Sequence, residues 1–158
     1  MAEGFYNQLA DEKTPIGDRY KAIFELKNLQ TPEAVQLMLK SFDSLGSSEL
    51  LKHELVYTLG QLNESHYPQL KEFLFQKVDD ASQPRLVRHE AAEAIANYFD
   101  PASIDLYKKH EYSEVEYLAM TCQVALYKVT HDSERRELYG QKYNGTREPI
   151  AAFSQQQF

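Results

Sequence analysis

Two stretches of the sequence each place a histidine directly before a glutamate, near the start of a helix-like pattern. LLKHELVYTLGQL contains His53-Glu54, and LVRHEAAEAIANY contains His89-Glu90. In both stretches, apolar residues recur at helical spacing around the dipeptide. Imidazole nitrogens and carboxylate oxygens are ligands for transition-metal ions. Two such pairs at matching places in the chain therefore indicate a candidate metal site.

The spacing within each pair limits how a single ion could be shared. Consecutive helix residues point about 100° apart, so His53 and Glu54 are not expected to bind the same ion. His53 and His89 occupy matching positions in two similar segments, and neighbouring helices pack about 10 Å apart between axes. We therefore predict that the two histidines form a metal pair. The glutamates would then serve a different ion, with the missing ligands coming from a second copy of this surface.

A structural role for both dipeptides is the alternative. A His-Glu pair on a helix is often solvated or part of a cap, and repeat duplication can copy such a pair without any function. In that case the chain is a non-catalytic protein-binding scaffold, because helical solenoids commonly bind proteins and a fold alone does not define a function.

The two motifs belong to a pattern that occurs four times, at intervals of 33, 36 and 31 residues. The four segments are DRYKAIFEL from Asp18, LKHELVYTL from Leu51, VRHEAAEAI from Val87 and LAMTCQVAL from Leu118. Helix-start signals separate them at Thr31-Pro32, Pro68 and Asp100-Pro101. A two-helix unit repeated about four times, with almost no strand signals, predicts an all-α solenoid over residues 1–130. Residues 131–158 are predicted to form a polar tail.

Only the two middle repeats carry metal ligands at the matched position. The first repeat has Tyr20-Lys21 there and the fourth has Met120-Thr121, and neither pair offers a hard ligand. A third dipeptide, His110-Glu111, is out of phase with the repeat. We expect it in a turn between repeats, as solvated surface.

Four other side chains have ordinary structural expectations. His66 and His131 are predicted near helix ends, where capping and surface roles are commonest. Cys122 lies on an apolar helix face and is expected in the core rather than as a nucleophile. Met120 is expected either in the core or lining a pocket.

Composition limits the partners and the compartment. Seventeen Lys and Arg against 24 Asp and Glu give a net charge of -7, which argues against nucleic acid and suits a basic protein partner. The single cysteine cannot form an intramolecular disulfide, which favours a reducing compartment. The first residues do not resemble a signal peptide, and no apolar run is long enough to cross a membrane. We therefore expect a cytoplasmic protein.

The paired motifs resemble those of deoxyhypusine hydroxylases, a family of HEAT-repeat, non-haem di-iron monooxygenases. The resemblance runs roughly from Pro15 to Lys128 and includes RYKAIFELKNL before the first motif and TCQVAL after the second. It implies a HEAT-like fold and hydroxylation of the deoxyhypusine side chain on translation initiation factor 5A. Family members usually carry two such halves in one chain, whereas this chain has one.

The resemblance also implies a role for each motif residue. His53 and His89 would bind one iron, and Glu54 of a second chain would complete its ligand set. Glu90 would lie at the site, as a further metal ligand or as a catalytic group that holds water or the substrate amine. A symmetric homodimer would rebuild the two-half site, with two irons per dimer. The chain departs from the family pattern at Ala119, where an arginine is usual, which affects local contacts rather than the metal ligands.

Two further possibilities stay open. The second half of the site could come from a different, separately encoded chain. The repeats also have the look of bilin lyase-like proteins, although no feature of the sequence indicates tetrapyrrole binding.

Overall fold

The computed structural model describes residues 1–131, which form eight α-helices and one short 3₁₀ turn. The helices are α1 (Ala2–Ala10), α2 (Ile16–Leu29), α3 (Pro32–Ser44), α4 (Glu49–Leu59), α5 (Tyr67–Asp79), α6 (Arg85–Ala96), α7 (Ser103–His110) and α8 (Glu116–His131). The 3₁₀ turn Glu64–His66 precedes α5. Apart from His131, the predicted tail lies outside the described residues. Within residues 1–131 no helix is long and apolar enough to span a bilayer.

The helices pack as four consecutive hairpins in two layers. The even-numbered helices, α2, α4, α6 and α8, lie side by side in chain order and form the inner layer. The preceding helix of each hairpin packs outside it, and α1, α3 and α5 also contact one another in sequence. The predicted all-α solenoid of four HEAT-like repeats is confirmed, and both His-Glu motifs lie on adjacent inner helices.

Local sequence explains where the helices begin. The Thr31 side chain accepts a hydrogen bond from the Ala34 amide at 3.2 Å, and Pro32 occupies the first helical position of α3. Ser48 caps α4 in the same way, accepting from the Leu51 amide at 3.3 Å. The α6 helix begins directly after Pro84. These starts place both motifs within the first two turns of their helices.

Arg19 and Arg88 hold the two helices of their hairpins together. Arg19 Nε donates to the Leu9 carbonyl at 2.8 Å, and Arg88 Nε donates to the Val78 carbonyl at 2.9 Å. Both contacts satisfy a carbonyl near the end of the outer helix, where no helical partner is available. In the fourth repeat Ala119 stands at this position, so that hairpin lacks the same contact. Arg88 directly precedes His89 and therefore anchors the start of the second motif.

The two motif-bearing helices approach each other closely where α4 ends. A Cβ atom added at Gly60 would lie 2.8 Å from both Cα and Cβ of Ala94. The Tyr98 hydroxyl donates to the Leu59 carbonyl at 2.6 Å, and Asn97 Nδ2 donates to the Gly60 carbonyl at 3.3 Å. This contact sets the spacing between α4 and α6, which also sets the spacing of the motif side chains.

The substitution Gly60→Ala should destabilise the fold because its methyl group would overlap the backbone of α6. We expect a loss of about 1–3 kcal/mol in the free energy of unfolding, the usual range for overpacking. Gly17→Ala is the matched control, since nothing lies within 4 Å of its added Cβ and the position is helical. Alanine there should be neutral or stabilising. Chemical denaturation measures the free energy of unfolding of each variant. Equal denaturation midpoints for the two variants would contradict a tight contact at Gly60.

Candidate metal centre

The candidate centre lies on the inner layer, where α4 and α6 place their histidines beside one glutamate. His53 Nε2 is 2.9 Å from Glu90 Oε2, and His89 Nε2 is 3.9 Å from the same oxygen. Two imidazoles from neighbouring repeats therefore converge on one carboxylate oxygen. Glu90 is almost completely buried, with 7% of its side-chain surface accessible. A buried carboxylate needs a charged or hydrogen-bonding partner, and His53 supplies one.

Glu54 lies on the opposite side of the His53 ring. Its Oε1 is 3.4 Å from His53 Nδ1, whereas Glu90 faces Nε2. The two glutamates therefore approach different ring nitrogens, so Glu54 is directed away from the position between the histidines. The prediction that His53 and Glu54 of one chain serve different ions stays a prediction.

A third carboxylate, Glu93, joins the cluster on α6. Its Oε1 is 3.8 Å from His89 Nε2, and ligand atoms of His89, Glu90 and Glu93 all lie within 4.8 Å of one another. Glu93 was not among the site residues predicted from the sequence. Its spacing of four residues from His89 was the available signal, because side chains four apart share a helix face. In the first motif the same position holds Tyr57.

The pKa values of the cluster follow from pairing and burial. The hydrogen bond to Glu90 raises the pKa of His53, although burial of the ring opposes this change. Burial lowers the pKa of His89, and it raises the pKa of Glu93 to about 7 with help from the Glu90 charge. Glu93 keeps 47% of its side-chain surface accessible, but its carboxyl group is turned toward His89. At neutral pH His89 is therefore an uncharged imidazole with a lone pair available to a ligand.

The donor set fits a divalent transition-metal ion. Imidazole nitrogens with carboxylate oxygens are the ligand types that non-haem iron prefers. His53 has 26% and Glu54 has 19% of its side-chain surface accessible, so the cluster is open on one side. The chemistry of these donors is therefore compatible with the predicted iron.

His89 is also held by the fourth repeat. Its Nδ1 lies 2.7 Å from Thr121 Oγ1, and the Tyr117 ring packs against the imidazole with centroids 4.5 Å apart. Thr121 was not expected to be a metal ligand. Its hydroxyl contacts Nδ1 of His89, whereas the predicted metal position lies on the Nε2 side of that ring. Met120, beside Thr121, is 49% exposed and is therefore not a core residue. It lines a surface pocket together with Arg85 and Tyr117, which was the second of its two expected places.

The expectation for His110 was wrong. The residue is the last of α7 rather than part of a turn, and it is 9% exposed. Its Nε2 lies 2.6 Å from Asp79 Oδ1, which also accepts from Lys109 Nζ at 2.9 Å. His110 thus connects α7 to the end of α5, because a charged partner on the preceding repeat compensates its burial. His66 is likewise buried, at the end of the 3₁₀ turn.

Cys122 is confirmed as a core residue. It is completely buried, and burial raises the pKa of its thiol to about 12. Because the thiolate is the reactive form, this environment makes the side chain inert.

Alkylation of Cys122 should therefore be slow in the folded protein. A rise in pKa from 9.0 to about 12 lowers the thiolate fraction at neutral pH about a thousandfold. We expect iodoacetamide to label the chain only after urea unfolds it, as followed by mass spectrometry of the intact protein. Labelling at similar rates with and without urea would show that the thiol is accessible.

Comparison with known proteins supports the resemblance found in the sequence. No protein-family model matches the chain. Mouse deoxyhypusine hydroxylase is 38% identical over 125 residues, which cover 78% of this chain and 39% of the mouse protein. The zebrafish deoxyhypusine hydroxylase is 40% identical over 119 residues, covering 75% of this chain and 37% of that protein. The chain thus spans less than half the length of the curated relatives it matches.

The fold comparison agrees with the sequence comparison. A structure of human deoxyhypusine hydroxylase in complex with glycerol matches 93% of this chain with a TM-score of 0.74 and 31% identity. The match covers 46% of the human chain. The resemblance to deoxyhypusine hydroxylases is therefore confirmed, in sequence and in fold, over the repeats that carry both His-Glu motifs.

Proposed function

We propose that the chain forms half of a non-haem di-iron monooxygenase that hydroxylates deoxyhypusine on translation initiation factor 5A. The observation that carries this proposal is the convergence of His53 Nε2 and His89 Nε2 on Glu90, at 2.9 and 3.9 Å. The similarity to deoxyhypusine hydroxylases supports the choice of reaction and substrate. We place the protein in the cytoplasm, where that substrate would be found.

The second half of the site would come from an identical chain. His53 and His89 would hold one iron, and Glu54 of the partner subunit would complete the ligands, giving two irons per homodimer. A twofold axis would make both sites equivalent. The iron would supply the activation of O₂ that insertion of oxygen into a C–H bond requires.

The surface around the histidines supports burial by a second chain. Exposed apolar side chains lie on the same inner helices, namely Leu50, Leu86, Met120 and Val124, which are 38–56% exposed. Leu50 and Leu86 each precede a motif histidine by three residues and so share its helix face. Met120 occupies the matched histidine position of the fourth repeat. An apolar rim of this kind would exclude water from the reacting groups once a partner covers it.

The chain's own polar groups have distinct tasks in this proposal. Glu90 would hold a proton or a water beside His53, because the 2.9 Å contact already joins the two groups. Glu93 stands at the edge of the cluster with nearly half of its side chain accessible. The deoxyhypusine side chain is cationic, so these carboxylates would attract and orient its amine.

The first experiment is the absolute mass of the protein in solution, with iron counted on the same fraction. A dimer with about one iron per chain would support the shared site. Hydroxylation of deoxyhypusine-containing factor 5A under O₂ would then test the reaction. An iron-loaded dimer without hydroxylation would contradict the reaction but not the metal site.

The alternative is a non-catalytic HEAT-repeat scaffold. The exposed apolar side chains of the inner helices favour this alternative, because they could bind a protein partner other than a second copy of the chain. A metal-free monomer in the same experiment would support this alternative, or a partnership with an unlike second half.

A further inference from the structure

Thr121, in the fourth repeat, makes two hydrogen bonds through one hydroxyl group. Its Oγ1 is 2.8 Å from the Tyr117 carbonyl oxygen and 2.7 Å from His89 Nδ1. A carbonyl oxygen only accepts, so the single hydroxyl proton of Thr121 is donated to Tyr117. The hydroxyl oxygen is then free only to accept from the ring of His89.

This arrangement determines which ring nitrogen of His89 carries the proton. Because Thr121 Oγ1 accepts, His89 Nδ1 must donate, so the neutral ring is protonated on Nδ1. Its Nε2 is then unprotonated, and it is this nitrogen that faces Glu90 and Glu93 at 3.9 and 3.8 Å. The lone pair of His89 is therefore directed into the candidate centre.

We propose that Thr121 is a positioning residue that holds His89 in the Nδ1-protonated tautomer and so presents Nε2 to a metal ion. Partners of this kind orient metal-binding histidines and tune their affinity. The role at the metal rests on the proposed function, whereas the tautomer is a property of the metal-free chain. The Tyr117 ring, packed on the imidazole at 4.5 Å, restricts the rotation that would exchange the two nitrogens.

The repeat pattern explains why a threonine stands here. Aligned by repeat, Thr121 occupies the position that Glu90 holds in the third repeat and Glu54 in the second. Glu90 contacts His53 of the preceding repeat, and Thr121 contacts His89 of the preceding repeat. The side chain at this repeat position thus contacts the histidine of the preceding repeat in both cases, but the carboxylate of Glu90 faces Nε2 of His53, whereas the hydroxyl of Thr121 faces Nδ1 of His89.

The test compares Thr121→Val and Thr121→Ser in metal-free protein labelled with ¹⁵N-histidine. Valine keeps the shape but removes the acceptor, and serine restores it. Long-range ¹H–¹⁵N correlation spectra report the tautomer of each of the five histidines, and His89→Gln identifies the signals of His89. We expect Nδ1–H in the wild type and in Thr121→Ser. In Thr121→Val we expect a shift to Nε2–H, since that proton can be donated to the nearby carboxylates.

Thr58→Val is the matched control for loss of the helical hydroxyl bond. Thr58 Oγ1 donates to the Glu54 carbonyl at 2.7 Å, as Thr121 does to Tyr117, so both variants lose the same kind of bond. The control should leave the His89 tautomer unchanged. Retention of Nδ1–H in Thr121→Val, or its loss in Thr58→Val, would overturn the proposal.

Ferrous affinity separates this inference from the proposed function. Loss of an outer partner typically lowers metal affinity 10- to 100-fold, so we expect a fall of that order in Thr121→Val and recovery in Thr121→Ser. If the tautomer of His89 changed but the ferrous affinity did not, the result would support the proposal that Thr121 sets the tautomer. It would also remove His89 from the metal ligands, which contradicts the proposed function instead.

Discussion

Replacement of His89 by alanine is expected to abolish iron binding while leaving the helical fold intact. The side chain supplies one of two imidazoles that converge on Glu90, and its Nε2 is the nitrogen directed into the centre. We expect ferrous affinity to fall by well over the 10- to 100-fold that loss of an outer partner causes, because a ligand itself is removed. His53→Ala should have the same effect. Anaerobic titration with ferrous iron measures the affinity of each variant, and circular dichroism shows whether its helical fold is intact.

His110→Gln is the matched control for the histidine variants. It changes the third His-Glu dipeptide of the chain, which lies on α7 and is bound to Asp79 rather than to the candidate centre. We expect some loss of stability and no change in iron affinity. If His110→Gln lowered iron content as much as His89→Ala, binding would depend on overall stability and not on the motif histidines.

The architecture was predictable from the sequence because the repeat is defined by local sequence features. Apolar spacing of 3.6 residues, a proline after Thr31 and a regular interval between segments are properties of the chain that need no knowledge of tertiary contacts. The same regularity placed His53 and His89 on adjacent helices, since matched repeat positions become neighbours when hairpins stack. The fold and the proximity of the two motifs were therefore predictable.

The partners of each motif residue were not predictable, because they depend on the offset between neighbouring helices. His53 contacts Glu90 of the next repeat at 2.9 Å as well as its own neighbour Glu54. Side chains on a helix lean toward its N-terminus, and the close approach at Gly60 sets how far α6 is shifted against α4. A shift of one residue along a helix would pair different side chains.

Burial of polar side chains was the other unpredictable feature. His110 was expected at the surface because its neighbours in sequence, Lys108-Lys109 and Tyr112-Ser113, are mostly polar. The structure buries its ring against Asp79, a residue 31 positions earlier on another helix. Such long-range pairs leave no periodic signal in the sequence, and the same is true of the Thr121 contact with His89.

The strongest test of a shared site is complementation between two inactive chains. In the proposed homodimer each iron takes His53 and His89 from one chain and Glu54 from the partner. A His53→Ala homodimer and a Glu54→Gln homodimer should therefore both lack intact sites. Their mixed dimer should regain one, built from the histidines of the Glu54→Gln chain and from Glu54 of the His53→Ala chain.

The amount of iron expected in the mixture follows from random pairing of the two chains. Random exchange of equal amounts makes half of the dimers mixed, and one of the two sites in each mixed dimer is intact. The mixture should therefore hold about a quarter of the wild-type iron, against near zero for each variant alone. Hydroxylase activity should stay near zero, because a mixed dimer holds only one of the two irons that the proposed di-iron centre needs. The two chains are unfolded and refolded together, or co-expressed, to ensure exchange.

The same mixture distinguishes the shared site from a site built within one chain. If Glu54 bound the iron held by its own His53, every chain in the mixture would carry one defect and no combination would restore a site. The structure directs Glu54 toward His53 Nδ1 and away from the position between the histidines, so ligation across the interface is the expected result. Iron content that stays near zero in a demonstrated mixed dimer would contradict the homodimeric site, even if each wild-type chain still bound iron.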